Sequence, residues 1–366
     1  MQRLDWEGLA RDFGLCLGLF ILSRCFFWIV AISVHTNLTS NAPDSALFAL
    51  LDGYWYLDIA LHGYDVHARG LHFFGQQNYV FFPLYPLLIK GFILCTGIQA
   101  RIAAQCISNA CFLAALYLFY RWMDQAYGTY TARISAILLA FSPYNIYFMA
   151  IYTDALFLLL FLLFWFAAQK KSWLGVGIYG FLLGLTHPNG VFILFFALWF
   201  AWDDYQVHAG NIWRYWPILL IPCSIVSFMV YLHFHVGDAL AFLHNERQAW
   251  HRDGWHFAQL PKRLARQTQG DSYNLAMYGL ALVFSVFLWL RGRCKEALVI
   301  PVFTVMALLS GTFVALARYS AALFPFYIAL GLFAIEKKGF KMILAAEVVG
   351  SILLMYCWIE QAVPAF

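Results

Sequence analysis

Long apolar runs separated by short polar and often basic intervals set the pattern of this chain. A helix needs about 20 apolar residues to cross the hydrocarbon core of a bilayer. Runs of that character lie at 13–34, 102–120, 134–150, 154–168, 215–235, 273–290, 297–316, 319–335 and 342–358. Two further stretches are ambiguous. The first, VFFPLYPLLIKGFILCTG over 80–97, is short, holds Pro83 and Pro86 and carries Lys90 in its middle. The second, 173–202, is either one overlong helix or two short ones meeting at His187-Pro188-Asn189-Gly190.

Lysine and arginine decide both, because short cytoplasmic loops collect them. Taking 80–97 as an interfacial or re-entrant segment and 173–202 as a hairpin places Arg3/Arg11, Arg121/Arg133, Lys170/Lys171, Arg214, Arg291/Arg293/Lys295 and Lys337/Lys338/Lys341 on one side. Changing either assignment alone sends the RGRCK and KKGFK clusters outside. The expectation is an all-α polytopic membrane protein, a single domain over 1–366 with about eleven transmembrane helices. Its N-terminus is cytoplasmic and its C-terminus outside. Two long loops, 35–100 and 236–272, then lie on the non-cytoplasmic side, and the first carries interfacial helices.

Composition agrees: 63% of residues are hydrophobic and 11% charged, far from the range of soluble domains. Aromatic residues, at 19%, serve a bilayer as bulk and as interfacial anchors, so they name no ligand. The net charge of +4 comes without a basic run dense enough to follow a phosphate backbone, which argues against nucleic acid. The eight cysteines fall mostly in apolar runs without a CxxC pair, and read as small buried hydrophobes. The run 13–34 is too long for a signal-peptide core and lacks a small-residue cleavage site, so it reads as a retained first span. Of eleven histidines only His208 falls on the cytoplasmic side, and no pair has metal-ligand spacing except His233/His235, whose i, i+2 spacing points them to different helix faces. No metal site is expected.

Candidate chemistry gathers on the outer side. Leu50 to His62 reads as a short helix along the membrane surface, with Asp52, Trp55, Tyr56 and Ile59 on one face. Asp58 and His62 make an i, i+4 pair of ordinary surface type. Three readings stand for Asp52: a general base, a ligand for a sugar hydroxyl, or the solvated cap of its helix. Asp154 opens a very apolar span, as a cap favoured by the helix dipole or as a carboxylate facing an outer cavity. The turn at His187 joins spans of about 14 or 15 residues, roughly 21–23 Å of helix, and so sits recessed from the outer surface. It lines a cavity with amides suited to an anion, or it dips into headgroups. Arg318 and Tyr319 lie at the junction of two spans, where an arginine snorkels or forks a lipid phosphate. The stretch NERQAWHRDGWH over 245–256, followed by Lys262, Arg263 and Arg266, could contact an acceptor or lie on anionic headgroups.

Five segments in order, DGYWYLDIALHGY over 52–64, FFPLYP over 81–86, YTDALF over 152–157, LTHPNG over 185–190 and RYSAALFPFY over 318–327, together resemble the PIG-V family of membrane mannosyltransferases. That family belongs to the GT-C superfamily, and its eukaryotic member is GPI mannosyltransferase 2. The resemblance implies a GT-C-like fold and a sugar donor on a polyprenyl or dolichyl phosphate, with mannose as the sugar. It implies a lipid-linked or surface glycan as acceptor, a catalytic acid that falls on Asp52, and no nucleotide cofactor. Many relatives carry an arginine where this chain has His187, which leaves phosphate binding there lost or pH-dependent. The chain is shorter than eukaryotic members, which suits a bacterial relative. The expected setting is then a bacterial inner membrane, or the endoplasmic reticulum membrane in a eukaryote, with the site on the periplasmic or luminal side.

On this reading Asp52 is the base of an inverting transfer, and Arg318, Tyr319, His187 and Asn189 bind the donor. Asp154 holds hydroxyl groups of donor or acceptor, with a divalent metal as the lesser alternative. Trp55, Tyr56, His62 and Tyr85 are first-loop contacts. Two other classes share these features: a lipid-linked sugar flippase or transporter, which would need no base, and a non-catalytic assembly subunit.

Overall fold

The apolar runs fold as helices in the computed structural model, which describes residues 6–37, 47–64, 75–208, 210–250, 252, 269–309 and 313–361. Among the described residues there is no strand. The helices are α1 (Trp6–Asn37), α2 (Asp52–His62), α3 (Leu84–Thr96), α4 (Ala100–Tyr127), α5 (Thr129–Phe141), α6 (Asn145–Met149), α7 (Asp154–Gln169) and α8 (Trp173–Thr186). After a 3-10 turn at Pro188–Phe192 follow α9 (Ile193–His208), α10 (Leu220–Val236), α11 (Ala241–Gln248), α12 (Gln269–Trp289), α13 (Cys294–Leu309), α14 (Leu316–Ala321), α15 (Phe324–Glu336) and α16 (Phe340–Ile359). Arg3, Lys262, Arg263, Arg266 and the rest of 253–268 in the second long loop lie outside the described residues.

Five helical stretches are long and apolar enough to cross a membrane: Trp6–Asn37, Ala100–Tyr127, Ile212–Val236, Gly270–Trp289 and Phe340–Ile359. Only 33% to 39% of the most apolar window in each is buried, so these helices carry a broad apolar surface outward. Leu22, Ile29, Phe234, Val283 and Met342 are exposed on that surface. Uncovered apolar area of this extent is unfavourable in water and is satisfied by lipid. The fold is compatible with a protein embedded in a membrane.

Contacts sort the helix ends into two sets. At one end Arg121 meets Asp12 at 2.6 Å, Trp122 donates to Gln169, and Asp204 gathers Lys171 at 2.9 Å and Arg214 at 3.2 Å. Lys295 pairs there with Asp203, Arg291 with Glu336, and Arg293 lies over the Tyr127 ring. At the other end His235 bonds the Tyr64 carbonyl at 2.7 Å, and Trp358 donates to the Leu47 carbonyl at 2.6 Å. Arg121, Lys171, Arg214, Arg291, Arg293 and Lys295, from four of the short basic intervals, thus belong to one set of contacts.

Several boundaries differ from the sequence pattern. The run 134–150 breaks after Phe141, because Pro143 has no N–H and disfavours helix at the residue before it. In the run 297–316, α13 is described to Leu309, and Leu316–Ala321 form a separate six-residue helix, α14, before α15. The largest difference is α2. Gly53 and the whole stretch Trp55–Ala60 are buried, so this helix is a plug in the bundle end instead of a rod on its surface. Its aromatic and aliphatic side chains surround the helix, and a helix apolar on all sides favours burial. In α3, only 13 residues long, Tyr85, Pro86 and Ile89 are buried while Lys90 stays exposed.

Glycines set how closely α8 approaches its neighbour. A Cβ on Gly177 would collide with the Pro217 carbonyl, one on Gly180 would come within 2.6 Å of Ile221, and one on Gly184 would collide with the Ser224 hydroxyl. Spaced three and four apart, they form the small-residue face that lets helix backbones touch. Gly184→Val is expected to cost about 1–3 kcal/mol or more through overpacking. A drop in the thermal unfolding midpoint in detergent checks it.

Candidate active site

The helices that carry Asp52 and Arg318 both start from strained backbone. Leu51 precedes α2 at φ 57° and Ala315 precedes α14 at φ 64°, conformations that favour glycine. Such strain persists only where surrounding contacts over-determine it, and it concentrates at functional sites. Here the contacts include the Asp52 amide donating to the Tyr152 hydroxyl at 3.2 Å.

Across 266 residues of sequence, Arg318 Nη1 reaches Asp52 Oδ2 at 3.5 Å, while its Nε donates to Asp154 Oδ1 at 3.2 Å. Neither carboxylate is simply a helix cap, since both direct an oxygen to the guanidinium. Their exposures differ: 31% for the Asp52 side chain, 9% for Asp154 and 6% for Arg318. Arg318 and Asp154 form a buried ion pair, and Asp52 is the member that opens outward. The guanidinium also sits against the rings of Tyr152 at 4.7 Å and of Tyr147 and Tyr319 at 5.2 Å each. A cation desolvated among ring faces gains about 2 kcal/mol there.

A cavity of about 170 Å³ opens over these groups, more than ten times the roughly 10–15 Å³ that one water requires. Asp52, Tyr56, His187, Asn189, Arg318 and Tyr319 line it. A smaller chamber of about 50 Å³ shares His187, Asn189, Arg318 and Tyr319 and adds Asp154, Thr153 and Phe157. Asp154 Oδ2 is buried without a hydrogen-bond partner among the described residues.

The turn at His187 behaves differently from expectation. Its Nδ1 accepts from the Asn189 amide at 3.3 Å, and the Gly190 amide donates to the His187 carbonyl at 2.8 Å. Two of the amides expected to meet an anion are therefore engaged within the turn. An Nδ1 that accepts must be unprotonated, which makes the ring the neutral tautomer with its proton on Nε2. That nitrogen lies 3.4 Å from the Tyr319 hydroxyl. His187 is thus a hydrogen-bonding wall and not a pH-dependent cation.

Three expected contacts lie elsewhere. Tyr85 is fully buried, its hydroxyl bonded to Ser108 at 2.6 Å and to the Ala104 carbonyl at 3.1 Å. Trp55 stands behind the cavity wall, stacked on Phe81 at 5.7 Å. His62, itself half exposed, bonds Asp58 at 3.0 Å, and Asp58 is only 7% exposed and also accepts from Asn78, so the buried carboxylate joins α2 to the 78–80 turn. These residues hold α2 in place and do not face the cavity.

Other cavity residues are absent from the expected set. Glu246, Arg247, Trp250 and Arg252 bring the second long loop over the mouth, and Glu246 pairs with Arg252 at 3.5 Å. The sequence marked this loop as polar and aromatic, but nothing in it linked the loop to Asp52. Below Arg318, α6 is braced from α1. The buried Arg24, lying over Phe20 and Phe112, donates to Asn145 at 2.8 Å. As for metals, among the described residues no group of three or more His, Cys, Asp or Glu could hold an ion, and a guanidinium stands between Asp52 and Asp154.

Burial holds the Glu246 carboxyl above the ordinary glutamate range, with Arg252 opposing the rise and Asp52 adding to it. The folded chain therefore keeps this proton more tightly than the unfolded chain does. The stability it contributes is complete below the ordinary glutamate value of 4.5 and is lost as pH rises through the raised value. Glu246→Gln is expected to flatten this loss, read from thermal midpoints between about pH 4 and 8.

No protein-family model matches this chain, and no curated protein is found to be similar to it.

Proposed function

We propose that this protein is an inverting membrane glycosyltransferase. It moves a hexose, taken as mannose, from a polyprenyl or dolichyl phosphate to a lipid-linked or cell-surface glycan. The observation that carries this reading is the half-open carboxylate of Asp52 at the mouth of a polar cavity, held by Arg318 at 3.5 Å, in a bundle with an outward apolar surface. The acceptor hydroxyl attacks the anomeric carbon and passes its proton to Asp52. The bond from that carbon to the phosphate oxygen breaks, its electron pair leaves with the phosphate, and the configuration inverts. One positioned base is enough, because a phosphate leaving group needs no strong acid. Asp154 accepts from a sugar hydroxyl in the inner chamber.

Eleven of the helices, α1, α4, α5, α7 to α10, α12, α13, α15 and α16, are taken to span, with α2 and α3 at the outer interface. The basic end is then cytoplasmic, and the cavity opens on the periplasmic or luminal side of an inner or endoplasmic reticulum membrane. Purified protein given polyprenyl-phosphate mannose and a mixed glycolipid acceptor pool should release polyprenyl phosphate and label the acceptor. Donor crossing sealed vesicles with no acceptor labelled would replace this reading with that of a flippase.

A further inference from the structure

Arg318 is already engaged. Its charge is shared by Asp52 and Asp154, so a phosphate arriving there would meet two carboxylates at 3.5 and 3.2 Å from the guanidinium. The second long loop offers other cations. Its segment is docked on the first loop: Asn245 Oδ1 accepts from the Gln77 amide at 3.0 Å, and its Nδ2 donates to the Gly75 carbonyl at 3.0 Å. Trp250 packs against Trp55 at 5.9 Å and Phe81 at 5.8 Å. This docking carries Arg247 and Arg252 to the cavity rim. Arg252 pairs with Glu246 at 3.5 Å and lies beside Tyr319 and in the field of the Asp52 carboxylate, while Arg247 is exposed with no ion pair among the described residues. Beside them Phe81, Phe82, Phe242 and Leu243 form an apolar wall of the same cavity.

We propose that Arg247 and Arg252, and not Arg318, bind the phosphate of an isoprenoid phosphate whose first isoprene units lie on Phe81, Phe82, Phe242 and Leu243. Two arginines next to an apolar wall match a phosphate joined to a hydrocarbon chain. Arg318 is then a positioning residue that aims Asp52. This rests on the glycosyltransferase reading but is tested apart from it, because binding needs no transfer.

The probe is polyprenyl phosphate without a sugar, titrated into detergent-solubilised protein, with inorganic phosphate as a second arm. Arg247→Gln and Arg252→Gln are each expected to weaken lipid binding about tenfold or more, the scale of a charge-assisted bond. Leu243→Ser, an uncharged change at an exposed position, should weaken the lipid and leave inorganic phosphate unaffected. Arg318→Lys should keep the lipid Kd within about twofold and lower kcat at an unchanged donor KM. An unchanged Kd in the Arg247→Gln/Arg252→Gln double variant would overturn the proposal, as would inorganic phosphate binding as tightly as the lipid. A protein that binds the lipid through these arginines yet transfers no sugar would refute the enzyme and keep the site.

Discussion

Asp52→Asn is expected to slow sugar transfer by about two to four orders of magnitude, the usual contribution of a positioned base. The amide keeps the size of the side chain and can still approach Arg318, but it cannot take a proton. Asp154 does not replace it, because its carboxylate is only 9% exposed and is paired with Arg318. Donor affinity should hold or rise, since the substitution removes a negative charge from the cavity that receives the phosphate. An unshifted thermal midpoint with transfer lost would separate chemistry from folding. Transfer at the wild-type rate would remove Asp52 from the reaction.

The second large effect concerns stability. Arg318→Gln leaves Asp154 buried without its counter-ion, and breaking a buried pair from one side costs about 3–5 kcal/mol. The double variant Arg318→Gln/Asp154→Asn replaces both charges with neutral amides and should recover most of that loss. Thermal midpoints of the wild type, the two single variants and the double variant form a cycle that isolates the coupling. Additive losses would show that the two side chains do not depend on each other. The double variant is expected to fold yet stay inactive, because it removes both the guanidinium that aims Asp52 and the Asp154 acceptor.

The sequence carried the helical architecture because apolar runs of near-membrane length can satisfy their backbone in few ways. It also marked Asp52, Asp154, His187, Arg318 and Tyr319, which the fold brings around connected cavities although they lie on separate segments. Polar groups at the ends of apolar runs stand out by contrast, which is why these were legible. Tyr85 and Trp55 were misplaced because an aromatic residue in a loop reads alike whether it faces a ligand or the core. The burial of Asp58 was hidden because its partner Asn78 lies 20 residues on, outside any local spacing rule. Arg247 and Arg252 were seen only as part of a polar loop, since their place depends on a docking between loops 168 residues apart. The neutral state of His187 was beyond reach too, because it follows from the backbone of a turn and not from composition.

The reach of Arg318 across 266 residues bears on how such a chain is made. Asp52 and Asp154 leave the ribosome long before the cation that neutralises them, and Asp154 heads an otherwise greasy segment. Until Arg318 emerges, both acids must stay hydrated or protonated, so the end of the bundle that holds the cavity closes late in biosynthesis. A nascent chain halted before residue 313 would carry two carboxylates without their guanidinium, a state open to proteolysis at that end.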